Sequence, residues 1–165
     1  MTMDTVILLA QTLMTTSLAG WLLFGVLDNY LTPSLNRGFV GSVLTFERLK
    51  DMYPEDYARV SYREIKNPAI HRAVFVVIVA AETLVCTVLF VAIVMMFRAL
   101  FGLVDPDSAR TIALIGVLGF TLIWAAFLVF GNWFLLWMCH EWAQNSHFQL
   151  LLWGIATMVL LAVSN

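Results

Sequence analysis

Few residues of this chain can do acid–base or ligand chemistry, and Glu82 lies deepest in an apolar segment. It is the only carboxyl group in the run HRAVFVVIVAAETLVCTVLFVAIVMMF. An ionised carboxylate inside a bilayer costs several kcal/mol unless it is paired. Two interpretations therefore stay open. Glu82 is either a proton or cation site, or a neutral acid that bonds a neighbouring helix and fixes the packing.

The position of Glu82 predicts which residues lie near it. His71 precedes it by eleven residues, so the two side chains share a helix face, with the carboxyl about 16 Å deeper. Asn132 lies at a comparable depth if residues 112–138 form one helix, and we take its amide as the preferred partner of Glu82. Threonine and glutamine side chains of the first apolar segment are the rival partners.

Three histidines lie near the ends of apolar segments. A pair from different helices, such as His71 and His140, could ligate a haem b, and Trp137 is close enough in sequence to join a haem or quinone contact. We favour the alternative, in which these histidines lie at the membrane interface and bond backbone carbonyls or water, so the sequence predicts no bound cofactor. The spacing of His140, Glu141 and His147 matches no recurrent metal-ligand pattern, so we expect no metal site.

Other catalytic signatures are missing from the sequence. It contains no nucleophile–base pair, no glycine-rich phosphate loop and no redox dithiol, so no catalytic residue is assigned. The two cysteines, Cys86 and Cys139, lie in or at the end of different apolar runs, and we expect both to be free thiols.

The composition indicates the elements that must position these residues. The chain has 165 residues, 61% of them hydrophobic and 12% charged, and its mean hydropathy is +0.87. A helix that crosses the hydrocarbon core needs about 20 apolar residues, because its backbone groups must bond within the segment. We therefore predict an all-α integral membrane protein, a bundle of four transmembrane helices at about 6–27, 73–97, 112–138 and 148–163. The lipid bilayer is its first partner. The net charge of −2 without a basic cluster gives no reason to expect a nucleic-acid partner.

The hydrophilic segment at about 31–72 is the only sizeable part outside the membrane. It is too apolar and aromatic for a disordered linker, so we predict a structured loop that docks partner proteins. Seven of the nine basic residues lie on the face that bears this loop, which predicts a cytoplasmic loop. The residues expected to take part in docking are Asp28, Asn29, Tyr53, Tyr57 and Tyr62.

Two motifs resemble a known family. The stretch REIKNPAIHRAVFVVIVAAE is similar to the pattern R-A-I-x-x-P-x-x-H followed by an apolar helix with a glutamate, and FGNWFLLWM is similar to G-E-W-F-x-M-W. Both patterns belong to the bacterial family of predicted small integral membrane proteins called domain of unknown function 2165. The resemblance covers essentially the whole chain, in the same four-helix order. It falls on Arg63, Pro68, His71 and Glu82, and on Gly131, Trp133, Phe134 and Trp137.

The chain departs from the family pattern at Asn132, where the family has an acid. This change removes a possible carboxylate pair with Glu82 and weakens a proton relay of two acids. The distribution of basic residues in the family implies a loop outside the cytoplasm, against the charge count above. The family brings no established activity, so the resemblance bears on the fold rather than the function.

Three functions are consistent with these features. The leading one is a non-enzymatic accessory or structural subunit in the bacterial inner membrane, packed against other subunits of a larger complex such as a respiratory or photosynthetic one. The second is a redox anchor that binds haem b or quinone. The third is a small proton- or cation-coupled carrier that uses Glu82.

Overall fold

The computed structural model describes residues 2–163, and this part of the chain is helical without a β-strand. Four long helices pack side by side, and the segment 32–67, called the cap below, covers one end of the bundle. In chain order, the elements are α1 Met3–Leu31, α2 Pro33–Leu44, α3 Glu47–Met52, α4 Pro54–Val60, a 3-10 turn Ser61–Arg63, α5 Pro68–Leu100, α6 Pro106–Trp133, α7 Leu136–Cys139 and α8 Glu141–Leu161.

The helix starts follow from local sequence. A side-chain oxygen accepts a backbone N–H in the first turn of α1, α5 and α6, and these oxygens belong to Thr2, Asn67 and Asp105. In α5 and α6 a proline follows the capping residue, where its missing N–H costs no hydrogen bond. These local signals determine where α1, α5 and α6 begin.

Three helices of the described chain are long and apolar enough to cross a membrane: α1, α5 and α6, with 29, 33 and 28 residues. At 1.5 Å per residue each exceeds the hydrocarbon thickness of about 30 Å. The protein is thus an integral membrane protein whose outer helix faces contact lipid. The sequence predicts four spans, and the helices of the described residues do not confirm that count. The fourth helix, α8, has 21 residues, but polar side chains in its first half lower its hydropathy: Gln144, Asn145, His147 and Gln149.

Small residues let the long helices approach closely. A Cβ on Gly116 or Gly119 of α6 would lie within 3 Å of Leu89 or Val85 of α5. On α8, Gly154 lies against Thr121 and Phe120 of α6 in the same way. Helix α6 therefore packs between α5 and α8, as small residues commonly allow in membrane bundles.

The prediction of a helix at 112–138 is wrong at the carboxyl end of the helix. Helix α6 ends at Trp133, and Leu135 adopts a left-handed backbone with φ of +54° before α7 begins. The same break occurs in the cap, where Phe46 has φ of +53° between α2 and α3. The rings of Phe46 and Phe134 lie 5.6 Å apart, so the two breaks meet in one apolar cluster that joins the cap to the end of α6.

At the opposite end of the bundle, Gln11 joins three helices. Its side chain is fully buried, and Nε2 donates to the carbonyls of Leu160 and Val163 at 2.8 and 3.0 Å. Its Oε1 accepts from Nε of Arg110 on α6 at 2.9 Å. Because the last carbonyls of a helix lack partners within it, Gln11 closes the end of α8 and connects it to α1 and α6.

Candidate functional site around Glu82 and the cap

A chain of side-chain hydrogen bonds ends at Glu82 on α5. Asn36 of α2 donates from Nδ2 to Oδ1 of Asn29 at 2.7 Å, and Asn29 of α1 donates from Nδ2 to Oε2 of Glu82 at 2.7 Å. Glu82 and Asn29 are buried, whereas Asn36 lies at the surface of the cap. The chain therefore runs from the exterior to the buried carboxyl and joins α2, α1 and α5.

The direction of these bonds determines what the site can do. Both amides donate toward the carboxyl, and a carboxyl oxygen accepts such a bond whether the group is neutral or ionised. The chain therefore holds Glu82 in place through a change of its charge. An asparagine amide keeps both of its hydrogens, so these two residues position the carboxyl without relaying protons. Any proton or cation that reaches Glu82 has to come to the carboxyl itself.

The predicted pairing of Glu82 with Asn132 is wrong. Asn132 is the second-last residue of α6 and its side chain is exposed, because the helix ends five residues earlier than expected. The partner of Glu82 is Asn29. It belongs to α1, the helix that also holds the rival threonine and glutamine side chains. Asn29 is buried and cannot dock another protein, so its expected docking role is also wrong. Asp28 beside it is exposed.

The histidines separate into different surroundings. Nε2 of His71 bonds the carbonyl of Ile65 at 2.6 Å, which corresponds to the interfacial role considered above. His140 is 6% exposed and lies edge-on to the ring of Phe39 at 5.1 Å; its Nδ1 has no hydrogen-bond partner among residues 2–163. Burial lowers the pKa of His140, and the nearby Arg48 lowers it further, so its ring is neutral at neutral pH.

The remaining candidates for ligand binding lie apart. Trp137 on α7 is 51% exposed, and His147 packs against Trp124 and Phe127 of α6. Within residues 2–163 no three His, Cys, Asp or Glu side chains are grouped so that they could hold a metal ion. Cys86 and Cys139 are free and buried, as expected.

Sequence reasoning missed Glu64, which organises the cap. Its side chain is 4% exposed and forms an ion pair with Lys50 of α3. The hydroxyl of Tyr57 on α4 donates to Oε2 of Glu64 at 2.7 Å, and Lys66 lies 3.6 Å away. The hydrogen bonds from Lys50 and Tyr57 lower the pKa of Glu64, while the bond to Glu64 raises the pKa of Lys50. No local pattern marks Glu64, because its partners come from separate helices.

The cap is expected to open in acid. A carboxylate with a lowered pKa in the folded state stabilises the fold above its ordinary pKa of about 4.3, and this stabilisation is lost as the pH falls through the lowered value. Hydrogen exchange of the cap amides, measured from neutral pH downward, should show this loss. In Glu64→Gln the cap should exchange faster at neutral pH and lose the acid dependence. Glu55→Gln, at an exposed position of α4, is the matched control and should behave like the unmodified chain.

The tyrosines expected to dock partners differ in exposure. Tyr57 is engaged with Glu64, whereas Tyr53 and Tyr62 are 37% and 73% exposed. The guanidinium of Arg63 lies over the rings of Tyr62 and Trp133, and its Nη1 donates to the carbonyl of Trp133 at 3.3 Å. Arg63 thus holds the exposed Tyr62 at a fixed place beside the end of α6.

Comparison with known proteins finds a family for nearly the whole chain. Residues 7–164 match the family described as predicted small integral membrane protein, domain of unknown function 2165. No curated protein and no solved structure matches the chain.

Proposed function

Because this chain belongs to the family of predicted small integral membrane proteins called domain of unknown function 2165, we propose that it is a non-enzymatic accessory subunit of a larger membrane complex. It acts in the bacterial cytoplasmic membrane, and α8 crosses the bilayer as a fourth span beside α6. The cap docks the partner subunit. Complexes of electron transfer, respiratory or photosynthetic, are the class of partner that we favour.

The observation that carries this proposal is the fixed surface of the cap. Glu64 holds α3 and α4 together, and the cluster around Phe46 and Phe134 joins the cap to α6. The exposed Tyr62 therefore stands on a preorganised surface. Tyrosine is enriched at protein interfaces because it offers a large rigid contact area at a low cost in conformational entropy. A preorganised surface of this kind supports docking of another protein.

Native purification tests the accessory role. The chain, extracted from its own membranes in a gentle detergent, should migrate with a stoichiometric partner, and Tyr62→Ala should reduce the amount of bound partner by about tenfold, the effect of losing 1.4 kcal/mol of binding free energy. Phe101→Ala changes an exposed ring at the opposite end of the bundle and should leave the partner bound. Migration as the chain alone, or equal binding by both variants, would contradict the proposal.

A second candidate is a proton or cation site at Glu82. The hydrogen-bond chain from Asn36 through Asn29 supports it, because it positions a carboxyl that can change its charge in place. Glu82→Gln keeps an acceptor for Asn29, so the fold should be retained while the titratable group is lost.

Flux into proteoliposomes tests this candidate. If Glu82 couples transport, proton or sodium flux should fall to the background of empty liposomes in Glu82→Gln and remain normal in Asn132→Ala, whose side chain is exposed. Equal flux in both variants would leave Glu82 with a packing role only.

A third candidate is a haem b or quinone site near His71, His140 and Trp137. The buried Nδ1 of His140, which lacks a partner among the described residues, supports it, whereas His71 would have to release the carbonyl of Ile65. A Soret band or an extractable quinone in the purified protein, lost in His140→Leu, is the expected result. A sample purified from native membranes that shows no Soret band and yields no quinone on extraction would exclude this candidate.

A further inference from the structure

The side of α8 that points away from α6 carries two exposed amide side chains. They belong to Asn145 and Gln149, which lie one turn apart. Leu152, Ala156 and Val159 continue the same line along the helix, and all three are exposed as well. Because neighbours on the line are three or four residues apart, the five side chains form one stripe on the helix surface. We call it the α8 stripe.

Neither amide of the α8 stripe has a hydrogen-bond partner within residues 2–163. Exposed hydroxyls on other long helices, in contrast, bond within their own helix. Ser17 of α1 donates to the carbonyl of Leu13 at 2.9 Å. Thr87 of α5 donates to the carbonyl of Thr83 at 2.8 Å. A side-chain amide has two hydrogens to donate and an oxygen that accepts, so the two amides of the stripe keep their full bonding capacity.

The depth of the α8 stripe determines what surrounds these amides. Gly154, on the opposite side of α8, packs against Thr121 near the middle of α6. Gln149 precedes Gly154 by five residues, which places it about 7.5 Å nearer the cap. Half of the hydrocarbon thickness is about 15 Å. With α8 as a span, Gln149 therefore lies in hydrocarbon, and Asn145 lies close to its boundary.

The chemistry of an amide in hydrocarbon selects what covers it. Lipid chains offer neither donors nor acceptors, so a polar side chain at this depth bonds most favourably to a polar group of another helix. Every copy of a chain inserts in the orientation that its loop charges set, so equal positions of α8 in two copies lie at the same depth. Around a two-fold axis along the membrane normal, each amide meets its own counterpart. An amide both donates and accepts, and is therefore complementary to itself.

We propose that a second copy of this chain covers the α8 stripe in a parallel dimer, in which Asn145 and Gln149 each bond their own counterpart. The small side chain of Ala156 lets the two helices approach closely below the amides. A helix of another protein would need amides of its own at the same two depths, whereas a second copy supplies them by symmetry. The inference rests on the crossing of the bilayer by α8, which is part of the proposed function.

Disulfide cross-linking of the full chain in native membranes tests the dimer. The two buried cysteines are first removed by Cys86→Ala and Cys139→Ala, and Leu152→Cys then introduces a single thiol in the α8 stripe. Oxidation should convert most of this variant to a covalent dimer. Leu84→Cys is the matched control, because Leu84 is 66% exposed and is the middle residue of α5. It faces lipid at a similar depth and should stay monomeric.

The affinity of the dimer tests the role of the amide. Gln149→Leu keeps a side chain of similar size and removes the amide. Single-molecule fluorescence in liposomes, recorded as the chain is diluted with lipid, should show a dissociation constant about tenfold higher in this variant. Thr87→Leu is the matched control, since it replaces an exposed polar side chain that is bonded within α5. It should leave the constant unchanged.

Three outcomes would overturn the dimer: no cross-link in Leu152→Cys, equal cross-linking in Leu84→Cys, or an unchanged dissociation constant in Gln149→Leu. A membrane-impermeant maleimide, applied to permeabilised membranes, separates this failure from that of the fourth span. If Leu152→Cys is labelled, α8 does not cross the bilayer and both proposals fail. If it is neither labelled nor cross-linked, the dimer alone fails. Dimers that carry no other protein would contradict the accessory role and support the dimer.

Discussion

Replacing Gly154 by alanine is expected to lower the free energy of unfolding by about 1–3 kcal/mol, the usual effect of overpacking a close contact. A Cβ at this position would overlap Oγ1 of Thr121 and would lie 3.3 Å from the ring of Phe120. Thr121 cannot turn away freely, because its hydroxyl donates to the carbonyl of Val117 at 2.8 Å. The added methyl group must therefore push α8 away from α6.

Two further variants make this expectation specific. Gly25→Ala places the same methyl group on α1, where a Cβ meets no atom within 4 Å, so it should leave stability unchanged or raise it by up to about 1 kcal/mol through helix propensity. Adding Thr121→Ala to Gly154→Ala removes the overlapping hydroxyl and should restore most of the loss. Reversible unfolding in mixed detergent micelles measures all three. If Gly154→Ala is as stable as Gly25→Ala, α6 and α8 do not pack as described.

Sequence reasoning succeeded where an element depends on local interactions and failed where it depends on contacts between residues distant in sequence. Helices α1, α5 and α6 were predictable because the need to bond every backbone amide within one apolar segment is a local requirement. For α8, hydropathy alone does not describe how the helix is placed. Its polar first half lowers the hydropathy, yet Gln144 and His147 lie against α6.

The end of α6 was mispredicted for a physical reason. Leu135 adopts a left-handed backbone that is costly for a bulky residue, and glycine or asparagine, which usually mark such a turn, are not found there. The conformation persists in contact with the cluster of Phe46, Leu49 and Cys139, and the first two belong to the cap, far from Leu135 in sequence. Because the predicted helix continues to residue 138, it places Asn132 at the depth of Glu82 and makes it the expected partner.

Helical periodicity predicts part of the surroundings of Glu82 and leaves its partner open. The period places Glu82 and His71 on one face of α5, but it does not determine which helix packs against that face. The resemblance to the family singled out Glu82 as well, without its partner. The sequence places Asn29 among the docking residues, and only the fold shows that its side chain turns inward to the carboxyl of Glu82.

Gln11→Leu is expected to lower the free energy of unfolding by about 2 kcal/mol, because it removes three hydrogen bonds from a buried site. The carbonyl of Val163 loses its donor and Nε of Arg110 loses its acceptor, while the carbonyl of Leu160 keeps the backbone N–H of Val163 at 3.2 Å. Hydrogen bonds between membrane helices contribute less, about 0.6 kcal/mol each on average. The expected loss is larger because one side chain makes three of them in a fully buried position. Reversible unfolding in detergent measures the loss, and hydrogen exchange at the end of α8 should rise with it.

Ser17→Ala is the matched control for Gln11→Leu. Ser17 lies on the same helix, is exposed, and bonds only the carbonyl of Leu13 within α1, so its loss should change stability by less than about 0.5 kcal/mol. Gln11→Glu separates the two sides of the contact, since a carboxylate still accepts from Arg110 but cannot donate to the carbonyls of α8. Its stability should fall while the hold on Arg110 is retained. If Gln11→Leu is tolerated as well as Ser17→Ala, the end of α8 is held by apolar packing and not by the hydrogen bonds of Gln11.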